Sequence, residues 1–114
     1  MKTFKKQCAQ GDVLITRIEK LPSDVKKIEP INGKFIIAHS ETGHHHVVLE
    51  RPGVAFFESK DPLIAYLEVI DKVETTLEHE RTFDQHESYL LKGGTYEIRR
   101  QREQTPSGWA RVAD

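Results

Sequence analysis

Long apolar runs are missing from this chain. Its longest apolar-leaning stretch, "PLIAYLEVI" over residues 62–70, is far short of the roughly 20 apolar residues that a membrane-spanning helix needs. The N-terminal "MKTFKKQCAQ" is basic but lacks the apolar segment and cleavage site of a secretory leader. Cysteine is nearly absent as well. A single thiol, Cys8, cannot close an intramolecular disulfide, which is the usage of a reducing compartment. Neither charge sign dominates: 17 basic residues face 18 acidic ones, a net charge of -1 with histidine neutral. The electrostatic footprint of a nucleic-acid or anionic-membrane binder is therefore lacking. There is no P-loop, dinucleotide fingerprint, paired-cysteine zinc motif or serine nucleophile elbow. These absences point to a soluble, cytoplasmic protein that forms one domain over residues 1–114, with function carried by local clusters of side chains.

What is present in quantity is strand signal. "GDVLITRIE" places Val13, Ile15 and Arg17 on one face and Leu14, Thr16 and Ile18 on the other, the period-two alternation of a half-buried strand. "KLPSDVKKIEP" reads as an irregular connection with one helical turn after Ser23-Asp24. Asn32-Gly33 is a hairpin signal, because both residues tolerate positive φ. Further strands are expected at "KFIIAHS", "HHHVVLE", "VAFFES", "LIAYLEVI", "KVETTLEHE", "SYLL" and "TYEIRRQRE". "ETG", "RPG", "KDP" and "KGG" serve as turns, and "TPSG" breaks the last strand. About eight short strands at this spacing predict an all-β domain, a small barrel or sandwich. The region from 72 to 87 also carries a helical charge pattern.

Chemistry concentrates in "ETGHHHVVLE", residues 41–50. Alternation sets His44, His46, Val48 and Glu50 on one strand face. Two imidazoles and a carboxylate are ligand types that divalent zinc, iron, nickel or manganese accept. One strand cannot complete such a site, so a further group is expected from His79, Glu80, His86 or Glu97, with His39 less favourably placed. "LEHE" sets His79 between Glu78 and Glu80, a pairing suited to metal binding or general acid/base work. The competing reading makes the histidines hydrogen-bonded hairpin residues and "LEHE" a solvated charged stretch.

His44 and His46 followed by Glu50 resemble the first motif of the cupin superfamily, which implies a cupin-like outline. Ala38 and Phe57 stand where that motif has glycines. At the second cupin motif Lys92 takes the place of the proline, Gly94 matches the glycine, and Glu97 occupies the histidine position. The succession "QGDVLITRIEKLP", "TGHHHVV", "LEHERTF" and "GGTYEIRRQREQTP" is also similar to a group of small uncharacterised bacterial and phage-associated proteins. That resemblance implies a shared site around Gly11, Asp12, His44, His46, His79, Glu80, Gln101, Arg102 and Glu103.

"RRQRE", residues 99–103, offers guanidinium forks for phosphate. Alternation divides its arginines between two faces, however, and no aromatic residues interleave, so nucleic-acid contact is not expected. The leading expectation is a histidine-rich pocket with His44, His46 and His79 as metal ligands. Glu50, Glu80 and Glu97 are its acid/base candidates, and hydrolysis or oxidation of a small molecule is its chemistry. The alternative is a non-catalytic interaction module of phage or mobile-element origin with structural histidines. Exposed strands such as "VAFFES" offer edges for a homodimer.

Overall fold

Period-two alternation carries the chain into strands almost throughout the computed structural model. The model describes residues 2–38, 45–79, 88–100, 102–105 and 108–111, with backbone alone for 38, 79, 102–105 and 108–111. The strands are β1 (Gln7–Gln10), β2 (Val13–Ile18), β3 (Lys26–Ile28), β4 (Lys34–Ala38), β5 (His46–Leu49), β6 (Val54–Glu58), β7 (Ile64–His79), β8 (Tyr89–Arg100), β9 (Arg102–Thr105) and β10 (Gly108–Arg111). The all-β expectation holds. All strand pairings are antiparallel: β1 to β8 form one sheet, and β9 with β10 forms a separate two-stranded one. Among the described residues no helix is long and apolar enough to cross a membrane.

Local turn chemistry was readable where pairing was not. Asn32 (φ 51°) and Gly33 (φ 77°) form the expected two-residue turn, closed by paired hydrogen bonds between Ile31 and Lys34. The strand before the turn does not continue the hairpin, because β3 pairs with β6 through Lys26↔Glu58 to Ile28↔Phe56. Consequently β6, the "VAFFES" strand expected to offer an edge, lies between β3 and β7. The N-terminal "QCAQ", read as a lead-in, is strand β1, paired with β2 from Gln7↔Thr16 to Gln10↔Val13.

The expected "KGG" turn and the expected break between "LIAYLEVI" and "KVETTLEHE" proved to be one corner. "LIAYLEVI" and "KVETTLEH" join in the continuous β7, and "SYLL" and "TYEIRR" join in β8. Between the pairs Val69↔Gly94 and Glu74↔Lys92, β7 spends residues 70–73 where β8 spends only Gly93. A bulge of this kind bends a strand and raises its twist. Lys72 takes φ 68° within it. Gly93 lets the two backbones close on each other, since a Cβ there would stand 2.9 Å from Ile70 O.

The corner folds the sheet on itself. Before it β7 pairs with β6, and beyond it with β5, while the C-terminal part of β8 pairs with β2. One layer thus runs β1-β2-β8-β7-β6-β3 and the other β8-β7-β5-β4. The outline is a sandwich whose layers share their two long strands. Alternation points Val13, Ile15, Leu67, Val69, Leu77, Leu91, Tyr96 and Ile98 into one buried cluster. Phe35 of β4 meets Phe56 of β6 across the layers, with ring centroids 5.8 Å apart. Burial of each such side chain contributes about 1.5–3 kcal/mol.

Candidate functional site

The folded sheet brings together polar residues that are distant in both sequence and strand order. In the order β1-β2-β8-β7-β5, a flat sheet would hold β1 about 19 Å from β5, at nearly 5 Å per strand. Instead Gln10, the last residue of β1, places Oε1 2.7 Å from Nδ1 of His46, the first residue of β5. The Gln10 amide Nε2 donates to the carbonyl of Leu77 in β7 at 3.4 Å. Asp12, in the turn from β1 to β2, completes the group, with Oδ1 3.6 Å from His46 Nε2. His46, Gln10 and Asp12 are 0%, 1% and 6% exposed. Polar groups so thoroughly withdrawn from water need partners, because an unmet one costs about 1–3 kcal/mol.

Each residue reaches this place for a local reason. Inward alternation along β1 turns Cys8 and Gln10 into the interior. Gly11 (φ 59°) makes the tight turn that carries Asp12 under the layer. The β4–β5 ladder slips between the pairs Ile36↔Val47 and Ala38↔His46, so β4 bulges beside His46. The ladder from β5 to β7 then sets the backbone of His79 directly opposite that of His46.

The spacing between His46 and Asp12 has chemical meaning. At 3.6 Å, Nε2 and Oδ1 are too far apart for a hydrogen bond. Two ligands each about 2.1 Å from a zinc ion at the tetrahedral angle stand about 3.4 Å apart. Among the described residues no three His, Cys, Asp or Glu side chains gather into a cation-binding group; the pair is what the described side chains supply.

The residues expected from sequence divide clearly. His46 is at the centre of the buried group, and His79 faces it in the ladder. His44 and Glu80 lie outside the described residues, as do His39 and His86. Glu50 falls just past β5 on the surface, where its N–H donates to Gly33 O at 2.9 Å. Glu97 alternates with the buried Tyr96 and Ile98, so it looks out from the opposite face of the sheet; there it pairs with Arg99 at 3.2 Å. The two carboxylates are therefore not brought to His46. Reasoning from residue types overlooked Gln10, and it reached Asp12 only through a family resemblance. Treating "QCAQ" as a strand would have exposed Gln10 as a polar residue at an inward position.

Other polar contacts serve the framework. Arg17 donates from Nη1 to Gly93 O at 3.1 Å and lies over the Tyr96 ring, 4.9 Å from its centroid. The Tyr96 hydroxyl donates to Lys92 O at 2.5 Å. Cys8 is buried, and burial pushes its thiol up to about 12, far from the range of a reactive nucleophile. A cavity of about 400 Å³ opens between Ile37, Phe56, Ala65 and Arg100. Ile37 belongs to β4, which pairs with the β5 strand of His46, and Arg100 of β8 is the pairing partner of Val13.

Residues 9–101 match the model of a protein family described as a domain of unknown function (DUF8820). No curated protein and no solved structure matches the chain.

Proposed function

The chain belongs to this family over residues 9–101, a span that contains Gln10, Asp12, His46 and His79, and we propose that it is a domain binding one divalent cation between its sheet layers. His46 Nε2 and Asp12 Oδ1 are two ligands in this reading, and His79 is the third. The observation that carries it is the 3.6 Å separation of those two atoms in a dry interior, close to the spacing of neighbouring ligands on one metal. Two imidazoles and a carboxylate suit zinc, iron, nickel or manganese.

A cation held by His46, Asp12 and His79 would supply Lewis-acid chemistry for hydrolysis, or redox chemistry for oxidation, of a small molecule. Glu80, adjacent to His79 in sequence, is the acid/base group of this proposal; Glu50 and Glu97 sit on outer surfaces and have no part in it.

The test is elemental analysis and calorimetry of untagged protein offered each of the four metals, beside Asp12→Asn and His46→Gln, with strand content followed by circular dichroism. Near-stoichiometric uptake in the wild type, lost in folded Asp12→Asn, is expected. Wild-type protein that takes up none of the four, or an Asp12→Asn variant with unchanged stoichiometry and affinity, overturns the proposal.

A further inference from the structure

We propose that the cavity between β4, β6 and β7 is a binding site for a free α-amino acid with an apolar side chain. This inference is independent of the cation reading above, and neither needs the other to hold.

The strand period puts charge at the lip of an apolar floor. Ile37, Phe56 and Ala65 line the cavity, and the first two belong to the buried core. Glu58 follows Phe56 by two residues in β6, and Arg100 follows the buried Ile98 by two in β8. Each of these charged side chains therefore leaves its strand on the side of the core. Register sets Glu58 opposite Ala65 and Ala65 opposite Ile98. Alanine is the smallest side chain of that row, and the cavity of about 400 Å³ opens over it. Lys60 and Asp61, in the turn from β6 to β7, complete the charged part of the lining.

This balance of charge selects the ligand. A wholly apolar molecule would strip water from two carboxylates and two cations and return nothing. A simple anion or cation would meet like charge as well as opposite. A zwitterion gives each sign a partner: its ammonium group to Glu58 and Asp61, its carboxylate to the guanidinium fork of Arg100 and to Lys60. The apolar side chain of the same molecule then covers Phe56 and Ala65. Glu58 and Arg100 stand on strands separated only by β7, about 10 Å apart at nearly 5 Å per strand, a gap that two long side chains and one small ligand span. The volume also falls within the range of small-molecule sites, about 300–1,000 Å³.

The charged lip is built before any ligand arrives. Arg100 donates from its backbone N–H to Leu63 O at 2.9 Å and from Nη2 to Pro62 O. Within the turn, Leu63 N–H donates to Asp61 Oδ1 at 2.9 Å and Ser59 Oγ donates to Ile64 O at 2.8 Å. Little ordering is left for the ligand to impose, which lowers the cost of binding.

The experiment is calorimetry and ¹H–¹⁵N NMR titration of the full chain with L-leucine, N-acetyl-L-leucine, which lacks the ammonium charge, and L-leucine amide, which lacks the carboxylate. Leucine is expected to shift the resonances of Ile37, Phe56 and Ala65 and to bind about 10–100-fold more tightly than either analogue, the effect of losing a hydrogen bond between charged groups. Glu58→Gln should weaken leucine and leucine amide and leave N-acetyl-leucine unchanged; Arg100→Gln should weaken leucine and N-acetyl-leucine and leave the amide unchanged. Circular dichroism checks both variants, and if Arg100→Gln does not fold the Glu58→Gln series decides alone. No leucine binding at millimolar concentration, an analogue that binds as tightly as leucine, shifts confined to other strands, or a folded Glu58→Gln with unchanged leucine affinity each overturns the proposal.

Discussion

Replacing Gly93 with alanine tests whether the layers are held by the corner at which β7 and β8 bend. An added Cβ would stand 2.9 Å from Ile70 O and 3.0 Å from Asp71 Cα, whereas ordinary contact begins at 3.4 Å. Both obstacles are backbone, so no side chain can swing away. One strand must move by about 0.5 Å, the shortfall from ordinary contact, where ladders on either side pin it. Overpacking of this kind costs about 1–3 kcal/mol, and the stiffer unfolded chain of an alanine adds a further 0.4–1 kcal/mol or so to native stability. A net loss of about 1–1.5 kcal/mol follows, or roughly 4–6 °C in Tm for a chain of this size. Gly33→Ala is the control: nothing lies within 4 Å of its added Cβ, but φ is 77°. Its left-handed strain of about 1–2 kcal/mol less the same unfolded-state gain leaves a loss of about 0.5–1 kcal/mol. Equilibrium urea unfolding of both variants, with fluorescence and circular dichroism as probes, measures the difference. A Gly93→Ala loss equal to or smaller than that of Gly33→Ala would refute the close-approach account of the corner.

Three more outcomes are expected. Lys72→Gly should stabilise the protein by about 0.5–1 kcal/mol, because φ 68° costs a lysine more than glycine loses in chain entropy; a loss of stability in the same urea assay would show that the Lys72 side chain matters more than its backbone. Tyr96→Phe should cost about 1–2 kcal/mol by leaving Lys92 O without the buried hydroxyl that donates to it, and a neutral result would deny that bond any net contribution. Cys8, with its thiol raised by burial from 9.0 to about 12, should resist alkylation in native protein and react once unfolded. The folded state favours the neutral thiol, so this stability is fully present below pH about 9 and is lost as pH rises through about 12; Cys8→Ala should flatten that alkaline decline in denaturation curves taken across the window, and an identical slope in the variant would exclude Cys8 as its source.

Much of the local structure was legible from single segments. Alternation in "GDVLITRIE" and "TYEIRR" identified strands and sorted their residues onto two faces, since a pleated backbone sends successive side chains to opposite faces. Glu97 and Arg99 sharing an outer face follows from the same period, and Asn32-Gly33 identified its own turn. A polar His46 within an apolar strand was visible as a centre of chemistry.

Tertiary structure decided everything that depends on which segments meet. "KGG" looks like a hairpin turn because bulges and turns draw on the same glycine and positive-φ conformations. Only its opposition to residues 70–73 across β7 and β8 makes it part of a single corner. No local signal tells β3 to leave the Asn32-Gly33 hairpin for β6, because cross-strand choice is made by shared burial and not by propensity. The meeting of Gln10, Asp12 and His46 has the same origin. Gln10 and His46 lie 36 residues apart on opposite layers, and a buried amide next to a buried ring is favourable only after the corner has closed the sheet and excluded the water that would otherwise satisfy both.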